Sequence, residues 1–332
     1  MISLLFCLSV SNFFPDSVSV TSVVNNGDRL SFNSSNYHIL SCLFKNLNNP
    51  LSNGGGIYIY SNNSYILVEN SLFEYCTAPS KLGGAIWAYS FCISLNMVCG
   101  VNCSAYRQQF AEISGFQQSK VFYTSYSHCA FVRPYTGDFP LCCSKGEIEC
   151  TYINSSRNSV SEGSGIRFTN GIYANFSYST VANNHAQKYI CIWYDSIIGT
   201  SFRVNVFSNT QTSSDFSTYY SRTNSNIMIE ENVISGNTGG VLFSTADGGI
   251  IRIKNSYSSY FSTINYNWGS PYLIGTVTFI STKGSTKSHV LSHFGSYKCY
   301  AHAPYTYIEY SSPISRVHNM FFVILLPFYM LI

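Results

Sequence analysis

The sequence predicts an all-β chain that folds as a right-handed parallel β-helix, a solenoid of about ten coils over residues 25–285. Two recurring phrases lead to this prediction. The first is a glycine-led apolar strand, which occurs as GGGIYIY at 54–60 and again, 29 residues later, as GGAIWAY at 83–89. The second is an aliphatic-x-x-Asn phrase that falls between the glycine phrases. Repeats at a fixed period of about 20–50 residues are typical of solenoids.

The glycine phrase is interpreted as a sharp turn followed by a strand. Further copies, GSGIRF at 163–168 and GGVLF at 239–243, follow after 80 and 76 residues, which is about three units each. Stacked coils place equivalent positions over one another, and glycine is the residue that readily turns with positive φ. The predicted turn glycines are Gly54, Gly55, Gly83, Gly84, Gly163, Gly165, Gly239 and Gly240.

The asparagine phrase is interpreted as a second bend in each coil. Asparagine tolerates the left-handed conformation and can hydrogen-bond to its neighbours in a ladder. The phrase begins at Leu43, Val181, Val206 and Ile234, so the predicted bend residues are Asn46, Asn184, Asn209 and Asn237. Inward and outward positions alternate along a strand, which predicts core positions for Ile57, Ile59 and Ile86.

Two stretches fit the repeat poorly. Residues 104–145, which include the loop-like FVRPYTGDFP, are expected to form an irregular coil or a lateral insertion. Residues 211–225, QTSSDFSTYYSRTNS, are expected to form a second loop. No part of the repeat carries a helical period of about ten residues, which excludes folds that alternate strands with helices.

The repeats carry a family resemblance. GGAI at 83–86 and the aliphatic-x-x-Asn phrases resemble the GGA[ILV] and FxxN repeats of chlamydial polymorphic outer-membrane proteins. The composition, rich in Ser, Asn and Tyr, is similar to that of the right-handed β-helix surface proteins of trichomonad parasites. The resemblance covers residues 30–280 and departs in detail, because GGAI is the single strict GGA[ILV] copy. It implies display on the cell surface and a role in adhesion.

Both ends of the chain differ from the repeat. Residues 1–20 begin with the short apolar run of a secretory signal, although no Lys or Arg precedes it. Residues 286–319 are expected to form a C-terminal cap or spacer. The tail at 320–332, MFFVILLPFYMLI, is too short for a standard membrane span. It is expected to associate with a membrane as a lipid-anchor signal, a half-inserted anchor or a shortened span, and a buried terminal strand is the alternative.

These ends predict an extracellular or cell-surface protein. Five N-x-S/T sequons would be possible glycosylation sites there, at Asn33, Asn62, Asn102, Asn154 and Asn175. The chain has twelve cysteines and no CxxC pair, so they are expected to be small core residues or to form disulfides, not to bind a metal. Charged residues make up 10% of the chain, and its net charge of +3 is spread without a basic stripe, which argues against a nucleic-acid partner.

The sequence names no catalytic residue, metal or cofactor. The best candidate for a catalytic carboxylate pair is Glu147 and Glu149, which share one face of a strand. Any half-buried strand would give the same spacing, so the pair does not by itself indicate catalysis. Arg252 and Lys254 alternate with apolar residues and are expected to face solvent. His289-x3-His293 lacks the glutamate of a zinc protease motif, and no G-x-S-x-G occurs.

The sequence therefore predicts a non-enzymatic β-helix that serves as an interaction or adhesion module. The expected partner is a host or matrix protein or glycan, met by a weakly charged face rich in Tyr, Ser and Asn. The alternative is a carbohydrate-active β-helix enzyme, a polysaccharide lyase or glycoside hydrolase. Outward carboxylates stacked on adjacent coils would favour the enzyme, whereas an outward aromatic patch would favour binding.

Overall fold

The structure, a computed structural model, winds the chain into a solenoid of parallel β-strands whose successive turns stack on one another. It describes residues 18–20, 23–25, 29–32, 36–129, 137–188, 192–213, 217–260, 262–266, 275–281 and 289. Within these ranges no helix occurs. The predicted all-β parallel β-helix is confirmed, with about eight full turns, from Ile57 to Ser258, and parts of further turns at both ends.

The strands are short and numerous. The first half comprises β1 (Val18–Val20), β2 (Val23–Asn25), β3 (Leu30–Phe32), β4 (Tyr37–Leu40), β5 (Leu43–Lys45), β6 (Ile57–Glu69), β7 (Leu72–Glu74), β8 (Thr77–Leu82), β9 (Ile86–Asn96), β10 (Cys99–Val101), β11 (Ser104–Arg107), β12 (Ala111–Phe122), β13 (Ser125–Ser127), β14 (Leu141–Ser144), β15 (Glu147–Thr151), β16 (Asn154–Ser156) and β17 (Ser159–Val160). The second half comprises β18 (Ile166–Thr169), β19 (Tyr173–Ser177), β20 (Thr180–Ala182), β21 (His185–Ala186), β22 (Ile192–Asp195), β23 (Ile198–Phe202), β24 (Asn205–Phe207), β25 (Thr210–Gln211), β26 (Ser217–Arg222), β27 (Asn226–Glu230), β28 (Val233–Ser235), β29 (Val241–Ala246), β30 (Ile250–Lys254), β31 (Tyr257–Ser258), β32 (Thr263–Tyr266) and β33 (Thr276–Phe279).

Each turn contributes one strand to each of three ladders. The first ladder runs through β3, the first halves of β6, β9 and β12, and then β14, β18, β22, β26, β29 and β32. The second runs through β1, β4, the second halves of β6, β9 and β12, and then β15, β19, β23, β27, β30 and β33. The third is the ten-stranded sheet of β2, β5, β7, β10, β13, β16, β20, β24, β28 and β31.

Inward-facing side chains from the three ladders form one continuous core. Ile57, Ile59 and Ile86 are fully buried, which confirms their predicted positions. Ile57 lies directly over Ile86, so equivalent inward positions stack from turn to turn. Because a single turn cannot bury its apolar face alone, this stacking is what stabilises the solenoid.

A left-handed residue marks the bend on each side of the third ladder. The bends before it are at Ser41, Asn70, Met97, Tyr123, Tyr152, Tyr178, Arg203, Glu231 and Asn255, and the bends after it at Asn46, Tyr75, Asn102, His128, Arg157, Asn183, Ser208 and Gly236. Of the predicted bend asparagines, Asn46 has positive φ, at 55°. Asn184, Asn209 and Asn237 do not, because each follows the left-handed residue by one position, so the left-handed conformation expected of them belongs to Asn183, Ser208 and Gly236.

These three asparagines lie inside the bend and form a buried ladder together with Asn158. The Oδ1 atom of each accepts a hydrogen bond from the backbone N–H of its equivalent in the preceding turn, at 2.9 Å for Asn184, 3.0 Å for Asn209 and 3.1 Å for Asn237. Asn158 accepts in the same way from Cys129, at 3.0 Å. Ladders of this kind satisfy polar groups that the bends would otherwise leave buried without partners.

Cysteine occupies the same ladder position in three earlier turns, at Cys76, Cys103 and Cys129. The Sγ atoms of Cys76 and Cys103 donate to the backbone oxygens of Phe44 and Phe73, each at 3.5 Å, as the asparagine amides do further along. All three are buried free thiols. These cysteines therefore act as small core residues that continue the asparagine ladder.

The turn glycines divide into two kinds. Gly54, Gly83 and Gly239 have positive φ, of 71°, 67° and 113°. The remaining predicted glycines, Gly55, Gly84, Gly163, Gly165 and Gly240, do not. A Cβ atom on Gly84 would lie 2.2 Å from the backbone oxygen of Gln109, so this position requires glycine because a neighbouring turn approaches it closely.

Both expected irregular stretches contain regular strands. Within 104–145 the strands β11, β12, β13 and β14 continue the ladders, and the interruption is confined to 128–140, of which 130–136 lie outside the described residues. Within 211–225 the strand β26 continues the first ladder. The chain has the strand pattern there but lacks the glycine and asparagine phrases, which is why the sequence suggested loops.

One outward row of the third ladder is buried from Cys99 to Val233. It includes Ser125 and Asn205, which are 1% and 3% exposed. The side-chain amide of Asn205 pairs with the backbone of His289, donating to its C=O and accepting from its N–H at 2.9 Å each. Cys99 of this row is disulfide-bonded. This part of the row is therefore closed to a partner, whereas Lys45 and Glu74 of the other outward row are partly exposed.

All described residues belong to one compact unit, Met1–Ala301. The predicted cap at 286–319, apart from His289, and the tail at 320–332 lie outside the described residues, as do 1–17 of the signal-like segment. In the described part of the chain no helix is long and apolar enough to span a membrane.

Candidate binding face

The outward side of the first ladder brings aromatic and charged side chains together. Strand residues alternate between inside and outside, so every second residue faces outward, and in-register stacking sets these residues in rows. One row contains Tyr58, Trp87, Glu112, Cys142, Arg167 and Trp193, and the next contains Tyr60, Tyr89, Ser114, Ser144, Thr169 and Asp195. We call these two rows the first-ladder face.

Four rings form the aromatic end of this face. Tyr58 stacks on Trp87 with ring centres 5.1 Å apart, and Tyr60 stacks on Tyr89 at the same distance. The planes within these pairs differ by 11° and 14°, so the rings lie nearly parallel and turn their edges outward. Tyr60 is 51% exposed.

Two cations cover the ring faces at the edges of this array. The Arg29 guanidinium lies 4.5 Å from the centre of the Tyr58 ring. The Lys145 ammonium lies 4.3 Å from the ring centres of Tyr89 and Phe116 and donates to the Tyr89 hydroxyl at 2.8 Å. Cation–π contacts of this kind hold the rings in fixed positions.

A charged group adjoins the aromatic end. The loop that leads into β14 places Asp138 on this face, where its side chain is 4% exposed. Arg167 faces it, with Nη1 3.6 Å from Asp138 Oδ2, and donates through Nη2 to Asp195 Oδ2 at 3.1 Å. The Arg167 guanidinium also lies 4.6 Å from the Trp193 ring centre. Two carboxylates and an indole ring therefore fix the position of this arginine.

Glu112 lies between Trp87 and Cys142 in the first row and is partly exposed. Burial raises the pKa of Glu112 to about 7; a hydrogen bond from the Trp87 side chain lowers it in part and the charge of Asp138 raises it further. Burial also raises the pKa of Asp138, although Arg167 opposes this effect. Both carboxyl groups therefore hold their protons more tightly than they would in water.

Three polar atoms in this group have no hydrogen-bond partner among the described residues. They are Glu112 Oε2, Gln108 Oε1 and Arg167 Nε. Gln108 is 5% exposed, and its amide nitrogen donates to Asp138 Oδ2 at 3.5 Å. Buried polar groups are rarely left unpaired, so each of these atoms has the capacity for one more hydrogen bond.

The residues singled out in the sequence lie elsewhere. Glu147 and Glu149 face outward from the second ladder, with Ile148 and Cys150 buried between and behind them. Arg252 and Lys254 also face outward, and Lys254 pairs with Glu230 at 2.7 Å. His289 lies against the third ladder, and His293 is outside the described residues.

The sequons differ in accessibility. Asn62 is exposed, and Asn102 and Asn175 are partly exposed. Asn154 is buried and donates through its amide to Ser125 Oγ at 3.1 Å. Asn33 lies outside the described residues. Of these sites, Asn62 therefore offers the most accessible amide.

Glu147 and Glu149 share one face of β15 as expected, but further carboxyl groups meet on the first-ladder face. The structure places Asp138, from a loop, and Asp195, from β22, against Arg167, and Glu112, from β12, near Asp138. The sequence did contain one indication of this face. Trp87, Glu112 and Arg167 each stand at an outward position of an alternating strand. Among the described residues, no group of three or more His, Cys, Asp and Glu side chains could hold a metal ion.

No known protein family, curated protein or solved structure matches this chain.

Proposed function

We propose that this chain is a non-enzymatic interaction module, secreted or displayed on a cell surface, that binds a host or matrix glycan or protein through the first-ladder face. One observation carries the proposal. A fixed array of four near-parallel rings adjoins three buried polar atoms, on Glu112, Gln108 and Arg167, that have no hydrogen-bond partner among the described residues. A face with both features suits recognition of a ligand that has apolar and hydroxyl-bearing surfaces.

The rigidity of this face supports binding. Its rings are held by stacking and by Arg29 and Lys145, and its backbone is held in the first ladder. Groups that are already ordered lose little conformational entropy when a ligand binds. Tyr60 and Phe116, at 51% and 36% exposure, are the apolar groups that a ligand would cover.

The arrangement of the carboxylates favours binding over catalysis. Hydrolysis of a glycosidic bond commonly requires two carboxyl groups placed on either side of that bond. Asp138 and Asp195 both face Arg167, at 3.6 Å and 3.1 Å. Glu112 is therefore the carboxylate of this group that has an oxygen left for a ligand.

A carbohydrate-active enzyme is the second candidate function, and the pKa of Glu112 favours it. A carboxyl group with a pKa of about 7 can act as a general acid near neutral pH. Pectin, heparin, chondroitin and mucin glycans incubated with the full chain should yield no new reducing ends and no unsaturated products. Turnover that disappears in Glu112→Gln would replace the binding proposal with this one.

The binding proposal is tested with Tyr60→Ala in the full chain. Binding to immobilised glycans and matrix proteins should weaken, by about tenfold for a well-packed aromatic contact, because the exposed ring is lost from the face. Tyr173→Ala is the matched control, since Tyr173 is 39% exposed on the second ladder. Equal effects of the two substitutions would count against the first-ladder face.

Display is tested by expression of the full chain in a eukaryotic cell. The protein should reach the cell surface and carry a glycan that Asn62→Gln removes. Deletion of 320–332 should release the protein into the medium. A cytosolic product without glycans would contradict the secretory part of the proposal.

A further inference from the structure

We propose that Glu112, Gln108 and Arg167, beside Trp87, form a subsite for an uncharged sugar ring with neighbouring hydroxyl groups. This inference rests on the proposed function and specifies the ligand class of the same face. It starts from the three polar atoms without partners, two of which accept hydrogen bonds and one of which donates. A sugar hydroxyl both donates and accepts, so vicinal hydroxyls can satisfy such a mixed set.

The subsite is held in place before any ligand arrives. The amide nitrogen of Gln108 bonds to Asp138 at 3.5 Å, and Asp138 Oδ1 accepts from the backbone N–H of Phe139 at 2.8 Å. Arg167 is fixed by Asp195 at 3.1 Å. The unpartnered atoms of Gln108 and Arg167 therefore belong to side chains that are already bonded at their other ends.

Trp87 supplies an apolar surface next to these atoms. Its described ring contacts are Tyr58 and Tyr60 in the preceding turn and Tyr89 in its own turn. Its neighbour in the following turn is Glu112. The aromatic stack therefore stops at Trp87, whose side chain bonds to Glu112 in the following turn and stays partly exposed. The apolar face of a sugar ring can pack on such a surface.

The charges around the subsite favour an uncharged ligand. Glu112, Asp138 and Asp195 face the guanidinium groups of Arg167 and Arg107. The carboxylates outnumber the guanidinium groups, and Asp138 and Asp195 already neutralise Arg167. A sulfated or carboxylated sugar would meet unpaired negative charge here, whereas a neutral sugar would not.

The test compares neutral and anionic polymers at pH 8, with mannan and dextran as neutral probes and heparin and chondroitin sulfate as anionic probes. The full chain should bind a neutral polymer, and Glu112→Gln should weaken this binding about tenfold because the amide replaces one acceptor oxygen. Glu149→Gln, on the outward side of the second ladder, is the matched control. Circular dichroism and the melting temperature should confirm that both variants fold.

The outcomes separate the two proposals. The subsite is supported if the chain binds mannan or dextran, if Glu112→Gln weakens this binding, and if Glu149→Gln leaves it unchanged. Two outcomes would overturn the subsite and leave the interaction module standing. One is that the chain binds heparin in preference to mannan and dextran, and the other is that Glu112→Gln does not weaken binding to the neutral polymers. Binding that Tyr60→Ala also leaves unchanged would overturn both.

Discussion

At the scale of single residues, most bends of this solenoid use side chains that do not favour a left-handed backbone. Tyr123, Tyr152 and Tyr178 all have positive φ, between 46° and 59°. Their rings stack on one another, with centres 4.7 Å and 5.4 Å apart. Contacts between turns therefore offset a local conformational cost of about 1–2 kcal/mol per residue.

Gly84→Val is expected to destabilise the protein by more than about 3 kcal/mol, since overpacking against a rigid neighbour is costly. The reason is steric, because a Cβ atom there would lie 2.2 Å from Gln109 O and 2.7 Å from Ser104 O. Denaturant unfolding of the purified chain measures the effect.

Gly236→Ala provides the contrast to this substitution. Gly236 has a positive φ of 63°, but the nearest atom to a Cβ there would be Ser208 Oγ at 3.6 Å. Gly236→Ala should lower the free energy of unfolding by about 1 kcal/mol, because only the backbone conformation opposes it. If the two substitutions destabilised the protein equally, close approach of the turns would not be the property that matters at Gly84.

At the scale of elements, the buried ladder beside the third sheet joins the turns. Asn184 accepts from both the backbone and the side chain of Asn158, at 2.9 Å and 3.0 Å. It donates to Ser155 O and to Asn209 Oδ1, each at 3.1 Å. One side chain thus satisfies groups in the turns on both sides of it.

Asn184→Ala should destabilise the protein by about 2–4 kcal/mol, because it leaves buried donors and acceptors without partners. Asn184→Cys should cost less, since Cys103 occupies the equivalent position and bonds to the equivalent carbonyl. Thermal unfolding compares the two variants, with the outward Asn175→Ala as the control. A cysteine variant less stable than the alanine variant would show that the two ladder residues are not interchangeable.

At the scale of the whole molecule, stability is expected to depend on pH through the first-ladder face. The pKa of Glu112 rises from its ordinary value of 4.5 to about 7 in the folded chain. The folded state therefore binds a proton that the unfolded state has lost, and stability falls as the pH rises from about 4.5 to about 7. The raised pKa of Asp138 acts in the same direction.

The melting temperature should accordingly be lower at pH 8 than at pH 5, and Glu112→Gln should flatten this slope and raise the value at pH 8. The upper limit of the Glu112 effect is about 3 kcal/mol, and partial exposure of its side chain reduces it. Glu147→Gln, on an exposed side chain, is the matched control. A wild-type profile as flat as that of Glu112→Gln would contradict a strained carboxyl group at this position.

Features that depend on local pattern could be predicted from the amino-acid sequence alone. Alternation along the strands identified the fold class and the buried Ile57, Ile59 and Ile86. These features follow from a period of two residues within a strand and from repetition of the turn, and both can be read from one sequence.

Which residues meet across turns depends on how the turns stack, and that is a property of the folded chain. The phrase that ends at Asn184 begins one residue later in its strand than the phrase that ends at Asn46, so the two asparagines occupy different positions of the bend. The interruption at 128–140 brings Asp138 over a strand face that Arg167 reaches one turn later. The first-ladder face could not be predicted for this reason, because alternation gives the side of the sheet on which a residue lies, whereas the stacking register decides its neighbours.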